Sequence, residues 1–151
     1  MTVIIEPGNP RDPKSIALLS QSHALMQRLY PPEDSYALSI DALSEAGILF
    51  FVAREYDVVL GCGALALKDG YGEIKSMFTE PFARSLGVAE KIIKRIELEA
   101  RLVDLPVLRL ETGYELAAAV ALYQKLGFES CGAFGDYKAT KASVFMEKSL
   151  S

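Results

Sequence analysis

Cysteine is scarce: Cys62 and Cys131 are the only two in the 151 residues. They form no C-x-x-C pair and are too few to staple a small secreted fold, so both are expected to be buried, reduced thiols. Histidine occurs once, and the position of His23 in a helical pattern makes it a helix-face residue rather than a base or ligand. No His, Cys, Asp or Glu cluster has metal-ligand spacing, so no metal is expected. Basic charge is short as well. Sixteen Lys and Arg against twenty Asp and Glu leave a net charge of −4, and without a sequence-wide positive field nucleic acid is not expected as a main partner. The longest apolar stretches, Gly47–Ala53 and Val58–Leu67, fall well below the ~20 residues that cross a bilayer, so no membrane partner is expected. The opening segment MTVIIEPGNPRDPKS lacks the basic region, apolar run and cleavage site of a signal peptide, which points to the cytoplasm. Neither a Walker A sequence nor G-x-G-x-x-G marks the main loop–helix junction, which disfavours a nucleotide hydrolase.

What is present belongs to a folded chain. A hydrophobic share of 50% is far too high for disorder, and a chain of this length fills one domain, 1–151. Val3–Glu6 reads as a strand closed by Pro7, Gly8, Asn9 and Pro10. Asp12 and Pro13 then supply an N-cap and first-turn proline for a helix carrying Ile16, Leu19, His23, Met26 and Tyr30 on one stripe, stopped by Pro31 and Pro32. A second short helix is expected around Ser39–Leu43. Ile48–Arg54 and Val58–Leu67 form a hairpin, with Gly61 and Gly63 marking a bulge or a close backbone approach, and Tyr71–Thr79 continues the meander. Val88, Ile92, Ile96, Ala100 and Val103, with Ala89 and Ile93, define the clearest amphipathic helix. Val107–Thr112 is a strand, Glu115–Leu126 a helix closed by Gly127, and Phe128–Phe134 and Ser143–Lys148 are the last two strands. The long crossover between the Tyr71 and Val107 strands requires them to lie parallel, which predicts a mixed α/β sheet with helices on both faces.

The informative stretch runs from Glu73 to Ala89: a strand, a proline, a short loop and then the strong helix. Unpaired N–H groups and partial positive charge at such a helix start can hold a phosphate without a metal, and Gly87 lets a ligand approach the main chain.

Arg84-Ser85-Leu86-Gly87-Val88-Ala89 resembles the R/Q-x-x-G-x-G/A signature of the GNAT superfamily of N-acetyltransferases, and it stands, as in that family, between a strand ending in x-x-P and an amphipathic helix. Downstream, Ala121-Leu122-Tyr123-Gln124-Lys125-Leu126-Gly127-Phe128 resembles the family's A-L-Y-x-K-L-G-F segment. The element order agrees from Val3 to Leu150. The resemblance implies a central, mostly antiparallel sheet of six or seven strands with about four helices on both faces, splayed at the cofactor-binding strand.

It also implies acetyl transfer from acetyl-CoA to an amine. The pyrophosphate would rest on the amides of Arg84, Ser85, Leu86, Gly87, Val88 and Ala89, and the pantetheine arm would lie along Met77, Phe78 and Thr79. By position, Met77 matches the residue whose backbone N–H faces the thioester carbonyl, where a donor stabilises a developing oxyanion. Glu73 matches the general base of some relatives; strand periodicity puts it on the same face as Met77 unless a bulge shifts the parity. Tyr123 matches the tyrosine near the CoA sulfur, where its phenol could protonate the departing thiolate. No covalent acetyl-enzyme is implied, because neither cysteine sits beside a recognisable base.

Two departures from the family pattern stand out. Ser85 and Leu86 replace a Gly and a basic residue, and Leu116 stands where many members carry Asn or Gln. The acceptor pocket would draw on Tyr30, Glu33 and Tyr36 on one side and Phe134, Asp136 and Tyr137 on the other, aromatics beside carboxylates that suit a cationic amine. The expected acceptor is a small or amino-acid-like amine. The alternatives are a protein or peptide acceptor, or a non-catalytic acyl-CoA sensor, and the pairing habit of relatives implies a homodimer.

Overall fold

The computed structural model describes residues 2–32 and 37–151. Among these residues seven strands and four helices follow one another in chain order: β1 (Ile4–Pro7), α1 (Pro13–Leu29), α2 (Ile40–Leu43), β2 (Ile48–Glu55), β3 (Val58–Lys68), β4 (Tyr71–Thr79), α3 (Val88–Leu102), β5 (Val107–Gly113), α4 (Ala117–Lys125), β6 (Glu129–Ser130) and β7 (Ser143–Ser149). They form one sheet of order β1-β2-β3-β4-β5-β7-β6. Only β4 and β5 run parallel; the other neighbours are antiparallel. This is the mixed, mostly antiparallel sheet expected from the crossover.

Each face of the sheet carries its own core. On one side α1 and α2 pack Leu18, Leu19 and Leu43 against Phe50, Val52, Cys62, Ala64 and Phe78. On the other, α3 buries Val88, Ile92, Ile93 and Ile96 against Phe51, Leu65, Ile74 and Leu108, and Tyr123 and Phe128 complete that cluster. Fully burying a side chain of this size contributes about 1.5–3 kcal/mol, so the α3 stripe alone ties the start of the helix firmly to the sheet. Val103, assigned to that stripe, lies beyond the helix and is half exposed. In α1 the Asp12 side chain accepts the Lys14 N–H at 3.0 Å, as a capping residue should.

The expected irregularity is present, on the partner strand. Gly63 of β3 stands opposite two residues of β4, Ser76 and Met77, because Ala64 pairs with Lys75 and Cys62 with Phe78. Ser76 takes a left-handed φ of +57° to accommodate the extra residue. Gly63 gives the close approach: a Cβ there would lie 2.4 Å from Met77 Sδ and 2.7 Å from Ile92 Cγ2.

Two boundaries and the burial of one cysteine differ from the sequence reading. The strand expected over Phe128–Phe134 shrinks to β6, because after Cys131 donates to the Phe145 carbonyl the chain leaves the ladder and Phe134 turns inward onto Tyr71, Tyr137 and Phe145. α4 starts two residues late, behind Leu116, which has no side chain able to cap it. Cys131 is only partly buried, since β6 is an edge strand, whereas Cys62 is sealed in the core.

Candidate active site

Register along the parallel pair opens the site. β4 and β5 pair at Gly72/Leu108, Glu73/Arg109 and Ile74/Leu110, and there the ladder stops. The bulge at Ser76 and Met77 turns β4 away from its neighbour, leaving main-chain edges unpaired beside a cleft. The cleft is lined by Lys75, Ser76 and Met77 of β4, Glu111 and Thr112 of β5, and Tyr123 of α4, with α1 roofing it through Leu19, Ser22, His23 and Met26.

Below the cleft the chain builds an anion cradle. Pro81–Ala83 form a single 3-10 turn after β4, and Arg84 Nε donates to the Thr79 carbonyl at 3.2 Å. Ser85 and Gly87 both adopt left-handed backbone, at φ +67° and +81°. Gly87 is the N-cap of α3 and no side chain caps that end. None of the main-chain N–H groups of residues 85–90 donates to another protein group among the described residues. A Cβ on Gly87 would meet nothing within 4 Å, so the approach to these donors is open. Exposed, uncapped N–H groups with the helix dipole behind them fit a diphosphate.

The residues singled out from the sequence divide into two groups. Met77, Tyr123 and the cleft edge stand together. Tyr123 is buried, with an edge-to-face contact to Phe128, and burial pushes its phenol above the ordinary range, so it keeps its proton in the cleft wall. Glu73, by contrast, is buried at 4% exposure and does not line the cleft. The bulge puts it on the α1 face while Met77 packs toward α3. Its carboxylate accepts a hydrogen bond from the Tyr137 hydroxyl and pairs with Lys75 Nζ at 3.4 Å. Lys75 Nζ also donates to the Tyr137 oxygen at 2.6 Å. Burial and the bond to Glu73 hold the Tyr137 phenol far above its ordinary value.

The acceptor-pocket residues also separate. Phe134 and Tyr137 lie together in the aromatic group over β4 and β7, with Asp136 exposed beside them. Tyr30 lies apart from them and, like them, is not among the residues lining the cleft: its hydroxyl accepts the Glu115 N–H at 3.2 Å and presses on Gly113, where a Cβ would sit 1.7 Å from it. Glu33 and Tyr36 lie outside the described residues. Leu116 lines the cleft with an aliphatic side chain where the family pattern has an amide.

Sequence reasoning missed Glu111. Its Oε2 accepts the Ser143 hydroxyl at 2.8 Å, and burial raises its carboxyl above the ordinary value, opposed by Ser143 and Lys75 and reinforced by Glu73. The alternation of Leu108 and Leu110 with Arg109 and Glu111 in Val107–Thr112 shows only that two charges face the side opposite the apolar core; it does not mark Glu111 as a cleft residue. A larger hollow of about 320 Å³ lies at the far edge near β1 and the β2–β3 turn. In it Arg54 pairs with Glu6 and Lys14 Nζ donates to the Asp57 carbonyl, both at 2.5 Å. Among the described residues no three His, Cys, Asp or Glu gather as a metal site, and no helix is long and apolar enough to cross a membrane.

An open mixed sheet, splayed at its one parallel pair beside an uncapped, glycine-started helix, defines a protein of the GNAT fold. The chain belongs to the acetyltransferase (GNAT) family, whose model matches residues 17–128. It is 40% identical over 150 residues to an IAA acetyltransferase of Azospirillum brasilense, covering 98% of each chain. It is 38% identical to the uncharacterized N-acetyltransferase YsnE of Bacillus subtilis (strain 168), covering 89% of this chain and 91% of that one. Among solved structures, a Klebsiella pneumoniae protein assigned as an acyl-CoA N-acyltransferase superposes with a TM-score of 0.83 at 33% identity over 99% of both chains. The PaiA N-acetyltransferase of Thermoplasma acidophilum, solved with coenzyme A, shares the fold with a TM-score of 0.79 at 18% identity over 99% of both chains.

Proposed function

We propose that this acetyltransferase works as a single domain, binding acetyl-CoA across the splay and passing its acetyl group directly to the primary amine of a small or amino-acid-like acceptor. The observation that carries this reading is the junction of two features among the described residues: N–H groups over residues 85–90 with no protein acceptor, and a β4–β5 ladder that ends at Ile74/Leu110. Acetyl-CoA supplies the activated thioester. The amides from Arg84 to Ala89 hold its diphosphate, and Met77, Phe78 and Thr79 offer the strand edge to its arm. Tyr123 lines the cleft with a phenol that burial keeps protonated, a suitable proton source for a leaving thiolate. Among the described residues Glu73 is bonded to Tyr137 and to the cleft-lining Lys75, so a proton destined for it travels by way of Lys75.

A second reading, an acyl-CoA sensor without turnover, draws on one observation: the glutamate matched to the family base is withdrawn beneath Tyr137. Tyr123 in the cleft favours the enzyme. Calorimetry with acetyl-CoA, followed by a thiol-release screen over amines, amino acids and peptides, separates them. IAA belongs in that screen, given the Azospirillum relative. Heat with release of CoA supports transfer, heat without release supports the sensor, and absence of heat with any acyl-CoA discards both. Action in the cytoplasm and pairing as a homodimer complete the proposal, the latter checked by light scattering.

A further inference from the structure

The cleft contains a carboxylate, that of Glu111, which forms no salt bridge among the described residues. Beyond Ile74 and Leu110 the next residue of each strand, Lys75 and Glu111, faces the opening. One step behind, Glu73 has its own ammonium partner in Lys75 at 3.4 Å. Glu111 has a hydroxyl, Ser143 Oγ, and among the described residues it forms no salt bridge. Withdrawing a carboxylate from water is costly unless it is both hydrogen-bonded and paired with opposite charge. Ser143 meets the first requirement; for the second, the ammonium that acts on Glu111 among the described residues, Lys75, is already paired with Glu73, so two carboxylates share one cation.

We propose that Glu111 is the counter-ion for the acceptor's ammonium, and that the acceptor is a primary amine carried on an apolar body. The choice of a ligand amine rests on the acetyl-transfer reading; the charge argument rests on Glu111 itself. The groups around this carboxylate are consistent with such a guest. Glu73 and Lys75 face it from β4, Ser143 from β7, Tyr137 from the loop before β7 and Tyr30 from the end of α1. His23 and Tyr123 line the same cleft from α1 and α4. Lys75 already engages Glu73 and Tyr137, so its charge is shared with them. The apolar part of the guest has Leu19, Met26, Leu116 and Ala119 to pack against.

The test needs no coenzyme and no known acceptor. Full-length protein is titrated by amide NMR at pH 7 with n-hexylamine, which is then an ammonium, and with 1-hexanol, a neutral ligand of the same apolar length. The wild type should bind the ammonium more tightly than the alcohol. Glu111→Gln should weaken the ammonium roughly tenfold or more, as expected for a hydrogen bond to a charged group, and leave the alcohol unchanged; Glu111→Asp should recover part of the loss. Equal binding of the two ligands by wild type overturns the proposal, as does equal loss of both in Glu111→Gln. The wild-type comparison decides even where a variant does not fold. Calorimetry with acetyl-CoA is run on the same samples: failure there strikes the coenzyme reading alone, whereas failure of the ammonium preference strikes Glu111 alone.

Discussion

Tyr123 shows what a single side chain gains from its surroundings. Packed on Phe128 at the cleft wall, its phenol loses water, and burial alone lifts its pKa, so it remains a proton donor across the pH range in which enzymes work. Tyr123→Phe keeps the packing and removes the proton; it should slow the chemical step roughly 100-fold while acetyl-CoA affinity stays within about twofold, measured by rapid quench and calorimetry. Glu111 is the converse case. Its folded pKa lies above the unfolded one because burial disfavours the charge, so the native state binds its proton more readily and stability falls as pH rises through the folded value. Glu111→Gln should therefore be more stable than wild type at pH 7, with the gap closing below the ordinary carboxylate range, as followed by denaturant melts at several pH values. Tyr123 was legible because its neighbours Ala121 to Phe128 form a run. Glu111 was not, since its value depends on Ser143, 32 residues away in the chain, and on a gap in the sheet that no local pattern encodes.

Elements decide where these side chains point. α3 was readable except at its end, where Val103 falls outside the helix, because its buried stripe repeats with the helix period and its exposed face carries spaced pairs such as Arg95 and Glu99 at 2.9 Å. Its start is set by Gly87 at φ +81°, a conformation that costs an L-residue about 1 kcal/mol. Gly87→Ala should lower stability by that amount, seen in chemical denaturation. It should also weaken acetyl-CoA binding several-fold, since the new methyl group stands beside the open N–H donors. β4 was harder to read. Counting by twos puts Glu73 and Met77 on one face, but the extra residue opposite Gly63 reverses the parity after Lys75. The glycines signalled an irregularity in β3, and the extra residue sits on β4, because a strand with no Cβ at Gly63 lets its partner bend in. β6 ended early for a different reason: an aromatic, Phe134, found more burial among Tyr71, Tyr137 and Phe145 than in the ladder.

At the scale of the molecule, two cores held by one sheet leave the β4–β5 splay as the place where α1, α4 and both strands meet. A ligand bridging those parts favours the folded state by mass action. Acetyl-CoA at about 100 times its dissociation constant should add about 2.7 kcal/mol, which for a chain of this size raises the Tm by roughly 5–10 °C; a thermal melt with and without the coenzyme checks it. The order of elements, the parallel crossover, the amphipathic faces and the glycine-started helix were all set by local pattern and chain connectivity, because hydrophobic period and turn chemistry act between near neighbours. Which carboxylate faces the cleft and which is sealed under Tyr137 was settled only when strands distant in sequence came into register. Burial and counter-charge are properties of that assembled environment, and they depend on distances between residues that the linear order leaves free.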